Sequence, residues 1–275
     1  MHRPKPRAAA RPLLPPPRKR LGQHFLHDGR VLDAIADALG DLSAATVVEI
    51  GPGRGALTDR LVERAARVIA IELDRDLVPV LEARFRGRAN VEIVAGDALQ
   101  VAYGALAGGP YVLAGNVPYY ITTPLLFHGL EAPRALRAVY LVQREVAERA
   151  AAAPGSRIYG ALSVNLQALA TVDLLRVVSP RAFTPPPTVE SAVMTVVPRG
   201  TPAVPPALEQ RFRTTVLAAF ALRRKQMLRV VRTVTGLGPE EALSVLVDAA
   251  IDPHARPETL SSADFARLVA RLAPA

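Results

Sequence analysis

The chain has 275 residues, half of them hydrophobic, and a net charge of +9 from 34 Lys and Arg against 25 Asp and Glu. It contains no cysteine, which excludes disulfides, thiolate zinc sites and cysteine catalysis, and no apolar run approaches the ~20 residues of a membrane span. The positive balance indicates an anionic partner such as nucleic acid, although the Arg-rich composition of a GC-rich genome accounts for it equally well.

The N-terminal stretch of residues 1–18 is basic, rich in proline and free of acidic residues. Such a segment cannot bury apolar surface, so we expect a disordered tail. A phosphate-seeking arm and a solvated tail are equally consistent with this composition. Beyond the tail, Asp28 is placed to cap a helix that ends at Gly40. The lone His24 between them is by default a structural histidine.

A strand, a glycine turn and a helix follow in immediate succession. The apolar run 46–50 leads directly into the turn 51–55, and an apolar helical face comes after it. This arrangement is typical of the first unit of a doubly wound sheet. Gly51 and Gly53 let a ligand approach the backbone closely and expose the helix N-terminus to it. The G-x-G-x-G spacing differs from the G-x-G-x-x-G of dinucleotide-binding proteins.

Acidic residues end the next two predicted strands. Strand 68–73 carries Glu72, which lies about 20 residues after Gly51, where an acid can accept hydrogen bonds from ribose hydroxyls. Strand 91–95 is followed by Asp97, on the side where open α/β sheets bind their ligands. Asp97 could accept a hydrogen bond from the amine of an adenine ring, and a helix cap is an equally good interpretation.

The central feature of the sequence is the motif Asn116-Val117-Pro118-Tyr119, which ends the apolar strand 111–114. Pro118 has a fixed φ and pushes Val117 toward extended geometry, so the Val117 carbonyl is aimed by stiff backbone beside the Asn116 side chain. Two acceptors on the hydrogens of an exocyclic amine favour a pyramidal, reactive nitrogen. We therefore predict that these four residues hold and activate a planar amine-bearing ring; the alternative is a polar turn with a packed tyrosine.

The remaining sequence predicts a fifth strand at 138–142, helices from 143 and 159, and two closing strands at 174–178 and 192–197. Between the closing strands, three prolines form a rigid segment that presents Phe183 either for base stacking or as a core anchor.

Helices fill the C-terminal part of the chain after a Pro-rich linker at 199–206. The basic cluster Arg223-Arg224-Lys225 is assigned to the second of these helices. It is predicted to bind phosphate, although charge runs are more usually solvated faces.

The order and spacing of these motifs resemble the KsgA family, the small-subunit ribosomal RNA adenine dimethyltransferases. The matching stretches are residues 21–26, 49–55, 71–74, 96–98, 116–119, 143–147, 183–187 and 223–225. The resemblance implies S-adenosylmethionine (SAM) as cosubstrate and the N6 amines of two adjacent adenines in the 3′-terminal hairpin of 16S rRNA as target. The cofactor-binding residues are predicted to be His24, Leu26, Gly51, Gly53, Glu72, Asp97 and Asn116. This chain departs from the usual family pattern at His24, Tyr120, Thr188 and Glu190.

Together these observations predict an α/β protein with a doubly wound, Rossmann-like SAM-dependent methyltransferase sheet and a small all-helical C-terminal domain. The expected divisions are a tail at 1–18, the methyltransferase domain at 19–198, a linker at 199–206 and a helical RNA-binding domain at 207–275. We expect a cytoplasmic monomer that binds 16S rRNA in the small subunit and needs no metal and no membrane. The alternatives are an Erm-type 23S rRNA methyltransferase, a non-catalytic RNA-binding assembly factor and, less favoured by the glycine spacing, an NAD-dependent dehydrogenase.

Overall fold

Apolar runs form nine strands in the computed structural model, which describes residues 14–272. The strands are β1 (Phe25–Leu26), β2 (Thr46–Ile50), β3 (Arg67–Glu72), β4 (Val91–Ala95), β5 (Tyr111–Asn116), β6 (Ala138–Gln143), β7 (Ala170–Val178), β8 (Phe183–Thr184) and β9 (Ser191–Pro198). The helices are α1 (Gly29–Ala38), α2 (Ala56–Val62), α3 (Val78–Arg84), α4 (Tyr103–Ala107), α5 (Thr122–His128), α6 (Arg144–Ala151), α7 (Ala161–Gln167), α8 (Glu209–Ala221), α9 (Met227–Thr235), α10 (Pro239–Asp248) and α11 (Ser262–Leu272). Among residues 14–272, no helix is long and apolar enough to cross a membrane.

Seven strands form one sheet in the order β4-β3-β2-β5-β6-β9-β7, and β1 pairs separately with β8. The pairs from β4 to β6 are parallel, whereas β9 runs antiparallel to both of its neighbours. The chain moves outward from β2 to β4 and then returns to place β5 on the other side of β2. The carboxyl ends of β2 and β5 therefore mark the switch point at which sheets of this kind bind ligands.

Alternating side chains of the central strands enter two separate hydrophobic clusters, because helices cover both faces of the sheet. Val48 and Ile50 of β2 pack in one cluster with α5 and α6. Val47 of the same strand packs in the other with α1 and α2. The predicted fold class, a doubly wound sheet with a C-terminal helical region, is confirmed.

A third hydrophobic cluster joins the C-terminal helices to the sheet-bearing part of the chain. Phe212 and Phe265 of the helices share it with Tyr159 and Val164, which precede and lie in α7. The Tyr159 hydroxyl also donates to the Leu260 carbonyl at 2.9 Å. The helical region is thus built onto α7, and Val204 of the predicted linker is itself buried in this cluster.

The end of the predicted N-terminal tail lies against the sheet-bearing part of the chain, which differs from the expectation of disorder up to residue 18. The Pro15 carbonyl accepts a hydrogen bond from Arg54 at 3.1 Å, and Arg18 forms ion pairs with Asp74 and Asp76. The acids that attract Arg18 are distant in sequence, so composition alone did not predict these contacts. The first 13 residues of the predicted tail lie outside the described residues.

Candidate active site

A cleft of about 1030 Å³, including its open mouth, lies over the carboxyl ends of β2 to β5. Its lining contains every residue predicted to bind the cofactor: His24, Leu26, Gly51, Gly53, Glu72, Asp97 and Asn116. Asn116, Val117, Pro118 and Tyr119 line the same cleft. The structure thus brings the two predicted groups together, as expected for a cofactor and a second substrate that react with each other.

The glycine turn leaves room where a side chain would intrude. Gly51 and Gly53 have φ values of 67° and 59°, which favour glycine over all other residues. A Cβ atom added to Gly51 would lie 3.3 Å from the Asn116 carbonyl oxygen, and one added to Gly53 would lie 3.0 Å from the Phe25 ring. The absence of side chains at these two glycines therefore lets the turn pack against Asn116 and Phe25 while its backbone lines the cleft.

Glu72 braces the glycine turn and also faces the cleft. Its carboxylate accepts hydrogen bonds from the backbone N–H of Gly53 at 2.9 Å and of Asp74 at 2.8 Å. Only 5% of Glu72 is exposed, and this burial raises the pKa of its carboxyl while the N–H donors oppose the rise. Each carboxylate oxygen keeps a second lone pair, so the predicted acceptance of ribose hydroxyls fits this arrangement.

Asp97 caps the turn that follows it and also lines the cleft. One carboxylate oxygen accepts a hydrogen bond from the Leu99 N–H at 2.9 Å and so caps the following turn. Asp97 is half-buried in the cleft lining, and its other oxygen has no protein partner among the described residues. That oxygen is available to a ligand amine.

A hydrogen bond to the segment around His24 determines the orientation of the Asn116 side-chain amide. Its Nδ2 donates to the His24 carbonyl at 2.9 Å, and this partner assigns Oδ1 to the opposite side. The next residue is anchored by the Val117 N–H, which donates to the Leu141 carbonyl at 3.1 Å. No donor within the described chain reaches Asn116 Oδ1 or the Val117 carbonyl. Two acceptors without a donor among the described residues are therefore left at the end of β5.

The Tyr119 ring is positioned by contacts with Ser191 and His24 that the sequence did not indicate. Its hydroxyl shares a 2.6 Å hydrogen bond with the buried Ser191 Oγ, and burial raises the pKa of the Tyr119 phenol. The His24 ring lies near-parallel to it, with centroids 6.0 Å apart and an angle of 24°. His24 in turn places Nδ1 at 2.8 Å from the Pro185 carbonyl. Pro185, which follows β8, and Ser191, the first residue of β9, thus position the two rings.

Glu49 is a buried acid in the cleft lining that the sequence analysis did not select. It lies on β2, two residues before Gly51, and its Oε2 has no hydrogen-bond partner among the described residues. Burial raises the pKa of the Glu49 carboxyl from its ordinary 4.5 to about 8. The signal available in the sequence was an acidic residue inside the apolar run 46–50.

A second missed feature holds residues 18–23 at the edge of the cleft. Asp74 is 1% exposed and accepts hydrogen bonds from Arg18 Nη1 at 2.7 Å and Gln23 Nε2 at 2.8 Å. The Arg18 N–H donates to Gln23 Oε1 at 2.7 Å, which closes a loop of hydrogen bonds. We name residues 18–23 the mouth segment, because Leu21, Gly22 and Gln23 line the cleft.

The predicted base-stacking role of Phe183 does not fit its position. Phe183 is 3% exposed and belongs to the core cluster on the α1 side of the sheet. Its strand β8 pairs with β1, so Phe183 lies opposite Leu26. The alternative interpretation, a core anchor for the proline segment, describes this residue.

The three residues of the predicted phosphate-binding cluster Arg223-Arg224-Lys225 have different surroundings in the structure. These residues lie in the turn between α8 and α9 rather than on the second helix, which begins at Met227. Arg223 is occupied by an ion pair with Glu258 and by the Arg157 carbonyl, to which it donates at 2.8 Å. Arg224 and Lys225 are exposed and form no ion pair within residues 14–272. In the same range, no group of three His, Asp or Glu residues could hold a metal ion.

Comparison with solved structures defines the class of protein. A dimethyladenosine transferase from Plasmodium falciparum aligns with a TM-score of 0.78 and 26% identity, over 89% of this chain and 96% of the other. The 23S rRNA methyltransferase ErmE aligns with a TM-score of 0.72 and 26% identity, over 90% of this chain and 99% of the other. Together with the sheet order and the cleft, these matches define a Rossmann-like methyltransferase.

The family is shown by sequence. The family model described as "Ribosomal RNA adenine dimethylase" matches residues 16–274. A Ribosomal RNA small subunit methyltransferase A of Thiobacillus denitrificans is 43% identical, over 94% of this chain and 98% of the relative. The protein of the same name from Pelotomaculum thermopropionicum is 45% identical, over 92% of this chain and 90% of the relative. The chain belongs to the ribosomal RNA adenine dimethylase family, which confirms the resemblance seen in its motifs.

Proposed function

We propose that this enzyme transfers methyl groups from SAM to the N6 amines of two adjacent adenines in the 3′-terminal hairpin of 16S rRNA. The observation that carries the proposal is the pair of acceptors formed by Asn116 Oδ1 and the Val117 carbonyl beside the Tyr119 ring. Family membership and the names of the relatives, which are small-subunit RNA methyltransferases, support the substrate.

The cofactor side of the cleft is suited to bind SAM through its ribose and adenine. Glu72 accepts hydrogen bonds from the ribose hydroxyls, and Asp97 accepts one from the adenine amine. The ligand contacts the backbone of the turn at its glycines, which have no side chains in the way. Leu26 and the backbone of His24 complete this side. When bound, SAM supplies a methyl group on a sulfonium, which is an electrophile that needs no metal.

The reaction side of the cleft acts by positioning and by polarising the target amine. In the first transfer, Asn116 Oδ1 and the Val117 carbonyl accept hydrogen bonds from the two N6 hydrogens, which draws the nitrogen lone pair out of conjugation with the ring. In the second transfer, one of these acceptors holds the single remaining hydrogen. In each transfer the bond from the methyl group to sulfur breaks as its bond to N6 forms, and one N6 proton is released to solvent. The hydrogen bonds from Asn116 Nδ2 to the His24 carbonyl and from the Val117 N–H to the Leu141 carbonyl hold both acceptors before the base arrives. Such preorganisation is where much of the rate enhancement of a transfer between two bound substrates arises.

The target adenine must leave its stack to reach this site, so the proposal includes base flipping. Tyr119 offers the stacking face, and its hydroxyl bond to Ser191 keeps the ring oriented. Outside the cleft, Arg224 and Lys225 are the members of the predicted basic cluster that remain free for phosphate. We further propose that the enzyme acts in the cytoplasm as a monomer, since one chain supplies every residue that the site requires.

The second candidate is an Erm-type activity on 23S rRNA, which the structural match to ErmE favours. Both activities require the same acceptors and the same cofactor, so the site alone does not separate them. The relatives at 43% and 45% identity are named for the small subunit, which favours 16S rRNA.

The deciding experiment supplies labelled SAM with either immature small subunits or protein-free 23S rRNA, and maps the product by mass spectrometry of nuclease fragments. We expect dimethyladenosine at two adjacent positions of the 16S 3′ hairpin. Label in 23S rRNA would establish the Erm-type alternative. Binding of SAM and RNA without any transfer would establish a non-catalytic assembly factor, and calorimetric binding of NAD in place of SAM would contradict the whole proposal.

A further inference from the structure

Tyr120, which follows the catalytic motif, has no role in the function proposed above. It lies in the short 3-10 turn Tyr119–Ile121 and is 59% exposed at the lining of the cleft. Within residues 14–272, it is the one aromatic residue among the strongly exposed large hydrophobic side chains. No described residue accepts or donates a hydrogen bond at its hydroxyl. An aromatic side chain thus stands open to solvent directly outside the catalytic pocket.

The mouth segment supports one side of this ring. A Cβ atom added to Gly22 would lie 3.6 Å from Tyr120 Cδ1 and 3.7 Å from Cε1, which is ordinary van der Waals contact. The ring therefore rests beside the backbone of Gly22, while the exposed remainder is free. The support is firm, because Arg18 and Gln23 tie the two ends of the segment to the buried Asp74.

The mouth segment that supports the Tyr120 ring also carries two cationic residues. Lys19 and Arg20 are exposed and form no ion pair within the described part of the chain. The Gly22 N–H donates to the Lys19 carbonyl at 3.0 Å, so the segment turns tightly and brings the backbone of Lys19 close to Gly22, beside which the Tyr120 ring rests. Arg20 is two residues from Gly22, which limits their Cα separation to about 7 Å.

An exposed aromatic ring with adjacent cations is the arrangement by which proteins hold unpaired nucleotides, with bases stacked on rings and phosphates paired with Lys and Arg. A base that flips into the Tyr119 pocket leaves its neighbour without a stacking partner. A ring immediately outside the pocket can replace that partner. Tyr119 and Tyr120 are consecutive, so two successive nucleotides could contact them in turn.

We infer that Tyr120, Lys19 and Arg20 form a second nucleotide subsite, which stacks the unpaired nucleotide next to the target adenine and pairs with its phosphate. This inference rests on the proposed function, since it names the RNA neighbour of the base in the same cleft. It adds a substrate contact outside the catalytic motif, and the contact is made by a residue at which this chain departs from its family.

The test measures binding of a 3′-hairpin RNA to wild type, Tyr120→Ala and Tyr120→Phe, with SAM affinity determined in parallel. We expect the Ala variant to lose between about 5-fold and 150-fold in RNA affinity, and the Phe variant to stay close to wild type, because the ring rather than the hydroxyl makes the contact. SAM affinity should be unchanged in both. Leu136→Ala is the matched control, because Leu136 is also strongly exposed, at 64%, but lies far from the cleft. Its N–H donates to the carbonyl of Tyr111, at the end of β5 opposite to Asn116.

A second RNA, abasic at the nucleotide beside the target adenine, makes the assignment specific. Wild type should lose affinity for this RNA, whereas Tyr120→Ala should lose little more, because the two changes remove the same contact. Additive losses, or wild-type affinity in Tyr120→Ala, would overturn the subsite. Lost SAM affinity in Tyr120→Ala would overturn it as well, by assigning Tyr120 to the cofactor. Failure of wild type to methylate the RNA would contradict the proposed function separately, because the subsite is judged by binding.

Discussion

The proposed cofactor side of the cleft and the surfaces proposed to face RNA are built in opposite ways. On the cofactor side, Glu72 is buried and bonded to backbone at both oxygens, and the buried Glu49 Oε2 has no hydrogen-bond partner among the described residues. On the RNA-facing side, Tyr120, Arg224 and Lys225 are exposed on turns and have no ionic partner among the described residues. The polar groups of the cofactor side are thus fixed within the fold, whereas the side chains of the RNA-facing side are exposed and available to a partner.

This difference reflects what each ligand requires. A small cofactor must be held in one geometry, and buried polar groups with fixed partners provide that at a cost in desolvation. A large polyanion is held by several exposed charges that gain most when they displace counterions. Substitutions on the cofactor side should therefore change chemistry and stability, whereas those on the RNA side should change RNA affinity alone.

The largest effect is expected at Asn116, where the two sides meet. Asn116→Ala removes one of the two acceptors for the target amine, and losing one preorganised hydrogen-bonding group in an active site costs about 10²–10³ in rate. RNA affinity should change little, because phosphate contacts supply most of it. Single-turnover methylation with both substrates saturating measures the effect. Transfer at the wild-type rate by the Ala variant would remove Asn116 from the mechanism.

The next effect is a pH dependence of stability from Glu49. The pKa of its carboxyl is 4.5 ordinarily and about 8 in the fold, so between these values the native state keeps a proton that the unfolded state releases. Stability contributed by this group therefore falls as pH rises from 4.5 to about 8, by at most about 1.4 kcal/mol per pH unit.

The variant Glu49→Gln should lack this contribution and gain a few kcal/mol over wild type at pH 8.5, but not at pH 4.5. Urea unfolding across that range measures it. Glu72 leaves a residual slope of the same sign in both proteins, because burial also raises its pKa. Parallel stability curves for the two proteins would show that Glu49 is ionised or hydrated in the fold.

A smaller effect is expected where Ser191 orients Tyr119. Tyr119→Phe and Ser191→Ala each remove the same 2.6 Å hydrogen bond, so each should cost about 1 kcal/mol of stability and slow transfer modestly. The double variant should lose little more than either single one. Tyr119→Ala, which also removes the ring, should be slower than Tyr119→Phe at saturating SAM. Equal inactivity of the Phe and Ala variants would make the hydroxyl, not the ring, the important group.

The smallest effect is a change in salt dependence at the α8–α9 turn. Replacing Arg224 and Lys225 with Ala should reduce the slope of log affinity against log salt by about 1.4, from two lost contacts at about 0.7 each on single-stranded RNA. Arg60→Ala with Arg64→Ala is the matched control, since both of these arginines are paired with Asp33. Equal slopes for the two double variants would assign the RNA surface elsewhere.

Patterns within short stretches were sufficient to predict the sheet and the edge of the sheet at which the cleft lies. Apolar runs that end in glycine or an acid reveal a parallel strand and its ligand end, because parallel strands bring their carboxyl ends to one edge. Glu72, Asp97 and Asn116 each end a strand, or follow one, at that edge and were identified for this reason. The motif at 116–119 was recognisable because proline and its neighbours restrict their own backbone.

The roles of Phe183 and Arg223 could not be predicted from their neighbours in sequence. An aromatic residue beside prolines has the same pattern whether it is buried or exposed, and burial under β1 decided the case for Phe183. Three adjacent cationic residues give the same sequence pattern whether or not one of them forms an ion pair. The partner of Arg223 is Glu258, which is 35 residues away, so the local sequence did not reveal the pair.

The sequence by itself determined the family through the resemblance of its motifs. It also determined the doubly wound sheet and the edge at which the cleft lies, since these two follow from local periodicity and turn chemistry. Only the tertiary structure decided which polar atoms are left free. Asn116 Oδ1 is available because Nδ2 bonds to the His24 carbonyl, 92 residues away, and the Tyr119 ring is oriented because Ser191, 72 residues away, reaches its hydroxyl. Contacts between segments so far apart in sequence depend on the packing of the whole chain, and the orientations of Asn116 and Tyr119 depend on those contacts.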